Sequence, residues 1–223
     1  NIKKIMIKNS TIFNSKIYKQ WRKKFNSVDT KITSINIKLI VSRTIETFYL
    51  AVLDVTLKKK NSDISFPRCL ILRGDTVIIV PILKCIDDGH IYTILVEQFR
   101  IIDGGLSLEF PAGMIDYDIG SKASAIIECK EELNIDINEK DLITLSNSPF
   151  KVCESLMDEN VFIYGIKFEM QKDQIYKYDG LKTGDIKQNE FITLKVVKFN
   201  EVEKIKSFST YVAYNLVKNN QLI

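Results

Sequence analysis

The chain has one histidine, one tryptophan and four cysteines in 223 residues, and each scarcity removes a class of chemistry. His90 sits in Asp87-Asp88-Gly89-His90, the composition of a hairpin turn. With no second histidine, a histidine-rich zinc site is not available, and a Ser-His-Asp triad is disfavoured. Cys69, Cys85, Cys129 and Cys153 are widely spaced and form no C-x-x-C pair. They read as reduced intracellular thiols packed as small hydrophobes. No apolar run reaches the roughly 18 residues that span a bilayer, so no membrane partner is expected. No internal repeat or low-complexity linker separates independent units. A net charge of +4 does not mark a dedicated nucleic-acid binder.

What is present suits a folded protein of one domain with an elaboration, or two small ones. Hydrophobic residues make up 45% and charged residues 27%, ordinary for a soluble globular chain. The charge is unevenly spread. The first acidic residue is Asp29, and Lys3, Lys4, Lys8, Lys16, Lys19, Arg22, Lys23 and Lys24 precede it. Two readings stand: a basic amphipathic helix within the fold, or the remnant of an organellar leader. The expected location is intracellular and cytoplasmic, or organellar should a leader precede Asn1.

The most informative segment is Ile127-Glu128-Cys129-Lys130-Glu131-Glu132-Leu133-Asn134-Ile135. On a helix, Glu128 neighbours both Glu131 and Glu132. The three carboxylates fall within an arc of about 100°. Positions three or four residues away are Ser124, Ala125, Ile127, Cys129, Asn134, Ile135 and Asp136, none of them cationic. Like charges so placed destabilise a helix unless a cation intervenes. A hard divalent cation explains the cluster, and so does a solvated acidic face.

Periodicity sketches the rest. Ile17, Tyr18, Trp21 and Phe25 have helical spacing behind Ser15 as N-cap. They read as a core stripe rather than a base-stacking surface. Strand-like runs cover 35–41, 48–57, 68–72, 77–83, 91–99, 106–110, 161–168 and 191–197. A helix capped by Ser121 runs to about Asn134, and two helices, 201–205 and 209–217, close the chain. The expectation is an α+β protein whose sheet carries one central helix.

The stretch from Gly113 through Ile119 to Ile135 resembles the Nudix box, G-x5-E-x7-R-E-U-x-E-E-x-G-U. Gly113, Glu128, Glu131, Glu132 and Ile135 are in register, whereas Ile119, Ile127, Cys129 and Asn134 depart. Ile119 and Ile127 replace a glutamate and an arginine that pair in the family, so neither charge is stranded, and packed apolar side chains can replace such a pair. Asn134 suits a left-handed helix end. The scaffold is altered and the three acids are retained. Val96-Glu97-Gln98-Phe99-Arg100 and Leu108-Glu109-Phe110-Pro111-Ala112-Gly113 resemble the V-E-Q-x-R and E-x-P-A-G segments of ADP-ribose and ADP-sugar pyrophosphatases. Ser148-Pro149, followed by Met157-Asp158-Glu159, resembles that group's S-P-G…S-D-E loop, with Phe150 in place of glycine. The 18–21 helix and the 184–192 stretch are similar to the plant-type ADP-sugar pyrophosphatases.

The resemblance implies a Nudix α/β/α sandwich with a mixed sheet, over 76–223. A helix and β-rich extension, 1–75, would serve dimerisation and substrate contacts. It implies hydrolysis of an ADP-sugar, ADP-ribose or ADP-glucose, to AMP and a sugar phosphate. Mg²⁺, or Mn²⁺ as the alternative, would be held by Glu128, Glu131, Glu132 and the Ala112 carbonyl. Glu159 would be the general base, with Glu131 a second catalytic candidate. Arg100, Glu109 and Glu190 would contact substrate, although an Arg100 ion pair with Glu109 or Glu97 is the alternative. A homodimer is implied. Two rival functions share these residues: a UDP-sugar pyrophosphatase, and a non-hydrolytic nucleotide-sugar binder.

Overall fold

The computed structural model describes residues 9–25, 29–42, 48–102, 104–184 and 190–223. Lys3, Lys4, Lys8 and residues 185–189, which the sequence reading used, lie outside the described residues. In chain order the elements are α1 (Asn9–Asn14), α2 (Lys16–Lys23), β1 (Thr30–Ser42), β2 (Phe48–Lys59), β3 (Ser65–Leu72), β4 (Thr76–Cys85), β5 (Ile91–Arg100), β6 (Gly105–Glu109), β7 (Ala112–Met114), α3 (Ser121–Leu133), β8 (Ile143–Thr144), β9 (Phe150–Lys151), β10 (Asn160–Met170), α4 (Lys172–Tyr176), β11 (Lys182–Thr183), β12 (Ile192–Lys198) and α5 (Phe208–Asn219). They form two compact units: Asn1–Asp75 with Phe150–Asn160, and Thr76–Pro149 with Val161–Ile223.

In the first unit, β1, β2 and β3 form an antiparallel sheet in that order. Alternation along β2 turns Ala51, Leu53 and Val55 inward, where Ile12 of α1 and Trp21 of α2 complete the core. Ser15 caps α2, its hydroxyl accepting from the Tyr18 N–H at 3.1 Å. Lys16, Lys19 and Lys23 are exposed while Trp21 is buried, so residues 16–23 form a folded basic amphipathic helix. The 150–160 segment is tied to β3. Ile71 donates to the Leu156 carbonyl at 2.7 Å, and a parallel bridge joins Ile71 to Met157.

The second unit is built on a mixed sheet, with β11, β12, β5, β4, β10 and β8 in that order. β10 runs parallel to β4, and β5 runs antiparallel to it. β4 is apolar along nearly its whole length because both its faces are covered. Val77, Ile79 and Leu83 pack with Ala125, Cys129 and Leu133 of α3. Ile78, Val80 and Ile82 alternate to the other face, where α5 lies against β4. The result is an α+β fold with helices on both faces of a mixed sheet, as expected.

The structure corrects several local expectations. Ser121 does not cap α3: the N-cap is Gly120, at φ +85° with no side-chain cap, and the Ser121 hydroxyl bonds the Tyr164 hydroxyl at 2.8 Å. Ile119 and Ile127 do not replace a buried ion pair with packed core, because they are 46% and 45% exposed. Cys69 is exposed rather than packed, although Cys85 and Cys129 are buried. Asn134 does close α3 in the left-handed region, at φ 56° and ψ 33°.

Candidate active site

The short strand β7 pairs with β4, placing Ala112 opposite Ile78 and Gly113 opposite Val77. This ladder presents the Ala112–Gly113 backbone to α3, which packs over both β4 and β7. Glu132 leaves α3 on its buried side, is only 5% exposed, and accepts the Ala112 N–H at 2.9 Å. Glu128, one turn earlier, rests its carboxylate on Gly113. A Cβ at Gly113 would coincide with that carboxylate. Any side chain at Gly113 would therefore displace the Glu128 carboxylate.

Burial first, and then the neighbouring Glu128 charge, push the Glu132 carboxyl up to about 8, with the Ala112 N–H offsetting part of the rise. Glu190 also raises it and Arg100 lowers it, so both charges are felt at this carboxylate. Arg100 and Glu109 form a bidentate pair across β5 and β6. The Arg100 Nε donates to Glu109 Oε1 at 2.9 Å, and a terminal nitrogen donates to Oε2 at 2.8 Å. Burial alone would raise the Glu109 carboxyl, but the Arg100 hydrogen bonds and charge outweigh it and hold the group below its usual range.

Glu131 is exposed, unlike its two helix partners. Its carbonyl accepts the Gly184 N–H at 3.4 Å. Gly184 has φ +88°, and a Cβ there would lie 2.8 Å from the Glu190 carbonyl oxygen. Gly184 and Glu190 therefore meet beside α3. Lys130 pairs with Asp136 at 2.7 Å and so does not neutralise the glutamates.

The Glu128–Glu132 pair suits a hard divalent cation: oxygen donors only, one of them buried and raised by its neighbour. Among the described residues, no three or more aspartate, glutamate, cysteine or histidine side chains gather at metal-binding separation.

Glu159 belongs to the first unit. It is 5% exposed, and its Oε2 accepts from the Arg73 guanidinium at 3.0 Å. Asp158, which in sequence is an ordinary loop acid, is also buried. Its Oδ1 accepts the Arg73 N–H at 2.7 Å and the Gly74 N–H at 3.2 Å. Asp75 Oδ1 accepts from Asn160 twice, from its backbone N–H at 2.9 Å and from its side-chain amide at 2.7 Å. Sequence reasoning missed Arg73, Asp75 and Asn160. Their partners lie about 85 residues away, beyond any local pattern.

No family model matches the chain. It is 28% identical over 144 residues to Nudix hydrolase 14, chloroplastic, of Arabidopsis thaliana, covering 61% of this chain and 46% of that protein. A relative in Caenorhabditis elegans, named as nudix hydrolase 2, is 50% identical over 44 residues, 20% of each chain. The chain thus spans about half the length, or less, of the curated relatives it matches. Among solved structures, an ADP compounds hydrolase superposes with a TM-score of 0.58 at 18% identity, covering 87% of this chain and 95% of that one. This likeness is one of fold.

Proposed function

Because the chain is Nudix hydrolase-like in sequence and in fold, we propose that it hydrolyses the pyrophosphate bond of an ADP-linked sugar, ADP-ribose or ADP-glucose, to AMP and a sugar phosphate. The observation that carries this reading is the buried Glu132 carboxylate beside Glu128, over the Ala112–Gly113 backbone. Two carboxylates held this close raise one another's proton affinity, and a bound divalent cation would relieve that repulsion.

Glu128 and Glu132 would hold Mg²⁺, with Mn²⁺ as the alternative. Glu131 and the Ala112 carbonyl complete the donor set that the resemblance implies. Bound there, the cation supplies charge neutralisation at the diphosphate and an acidified water. Arg100 would grip a phosphate oxygen, with Glu109 fixing the guanidinium plane through two hydrogen bonds. Glu190, whose charge Glu132 feels, would bound the substrate's side of the pair. Glu159, oriented by Arg73, would take the proton from the attacking water. A homodimer belongs to the same reading, with a cytoplasmic location and, as the alternative that the chloroplastic Arabidopsis relative makes worth testing, an organellar one.

One observation favours a second reading. No third acidic side chain joins the pair among the described residues, as would suit a protein that binds a nucleotide sugar without cleaving it. Incubation with Mg²⁺ and a panel of ADP-ribose, ADP-glucose, UDP-glucose and NADH separates these readings. AMP from the ADP-sugars supports the proposal, and UMP from UDP-glucose moves the specificity to uridine. No product, together with a ligand-induced rise in melting temperature, supports the binder.

A further inference from the structure

The first unit carries an open cleft of about 500 Å³ between α2, the β2–β3 sheet and the 150–160 segment. That volume lies in the range that takes a small ligand. Its apolar walls come from Trp21, Phe25, Val55, Leu57, Leu70 and Met157. Three cations, Lys24, Arg68 and Lys151, stand on the same cavity. None of the three has an ion-pair partner among the described residues. The Arg68 guanidinium instead lies over the Phe66 ring at 4.8 Å and donates to the Pro67 carbonyl.

The acids on this cavity are mostly committed elsewhere. The Asp158 oxygen is taken by two backbone N–H groups, and Glu159 is paired with Arg73. Of the acids on this cavity, only Glu154 is exposed and without an ion-pair contact among the described residues. Three cations without an ion-pair contact among the described residues, one of them (Lys24) felt at the Asp158 carboxyl, therefore stand around an apolar hollow.

From this arrangement we propose that the cavity is a binding site for a small amphiphilic anion. The ligand's apolar body would lie against Trp21, Phe25 and Met157, and its carboxylate or phosphate head would meet Lys24, Arg68 and Lys151. The cavity lies wholly within the first unit, and the proposal does not rest on the hydrolase reading. Apolar walls of this extent favour a hydrocarbon body over a purine, whose ring nitrogens need polar partners.

Trp21 is the chain's only tryptophan and lines this cleft, so its emission reports on the first unit and not on the second. The test titrates the intact protein with octanoate, octanol and AMP while following that emission. Octanoate should give a saturable change, and octanol should bind at least about tenfold more weakly. In the Lys24→Glu/Lys151→Glu variant, octanoate affinity should fall by a similar factor while octanol is unchanged. Lys24→Ala/Lys151→Ala should give an intermediate loss, which guards against misfolding of the charge-reversed protein. The proposal is overturned if octanoate gives no saturable response, if octanol binds equally well, or if AMP binds as tightly as octanoate.

Discussion

The Glu128 carboxylate occupies the space where a Gly113 side chain would have to be. Backbone and acid are thus fitted to each other across β7 and α3, and a minimal change on one side should move the other. A methyl at Gly113 meets the far end of a flexible side chain, so the fold should tolerate it. We expect Gly113→Ala to keep its melting temperature within a few degrees while Mg²⁺-dependent turnover falls roughly 100-fold. Melting curves and AMP release at fixed Mg²⁺ measure the two effects separately. Loss of folding, or full activity, would contradict the packing argument.

The Glu132 carboxyl is raised to about 8 from an ordinary 4.5. Between these values the metal-free folded state holds a proton that the unfolded state has released. Stability should therefore be fully present below pH 4.5 and decline as pH rises toward 8, by up to about 1.4 kcal/mol per unit. Glu132→Gln should remove that slope and melt higher than the wild type at pH 8 without metal. Adding Mg²⁺ should stabilise the wild type and leave the variant unmoved. Parallel curves for the two proteins across this range would refute the assignment.

The Arg100–Glu109 pair should behave in the opposite sense. The Glu109 carboxyl is held below its usual range, so the pair contributes above the unfolded value and is lost as pH falls through the folded one. Because the Arg100 side chain is 41% exposed, solvent screening limits the contribution to about 1 kcal/mol or less. If Arg100 also grips the diphosphate, Arg100→Lys should raise KM with kcat nearly kept, since an ammonium cannot reproduce the two-point contact. A variant with unchanged KM would leave the arginine a structural partner only.

Asp158 satisfies two backbone donors, the Arg73 and Gly74 N–H groups. Asp158→Ala should cost about 1–3 kcal/mol in denaturant unfolding, and Asp158→Asn should recover most of it by keeping one acceptor oxygen. Equal losses in both variants would mean that charge, not acceptance, matters. Separately, Glu159→Gln should lower kcat with little change in KM if the residue removes a proton. An unaltered kcat would end its candidacy as base.

Much of the fold was legible because its signals are local. The near-continuous apolar run of β4 announces a strand covered on both faces, and Trp21 falls on the inward side of a capped helix. The αL close at Asn134 followed from its place at the glycine of the resembled box together with asparagine's tolerance of that conformation. The glutamate trio was legible as a helix face, but not its division into a buried Glu132, a half-buried Glu128 and an exposed Glu131. That division depends on where β7 lies, and a three-residue strand has no pattern to read. Ile119 and Ile127 misled for a related reason: a motif position predicts a partner, whereas exposure is set by what packs nearby. The Arg73–Glu159 and Asp75–Asn160 contacts were invisible because pairing between residues so far apart in sequence leaves no periodic trace.

The account is tested most directly by measuring AMP release from ADP-ribose by the wild type and by Glu132→Gln, each with and without Mg²⁺. It predicts product only from the wild type with Mg²⁺, while the variant stays folded and inactive. Wild-type turnover by Glu132→Gln, or metal-independent release by either protein, would contradict it.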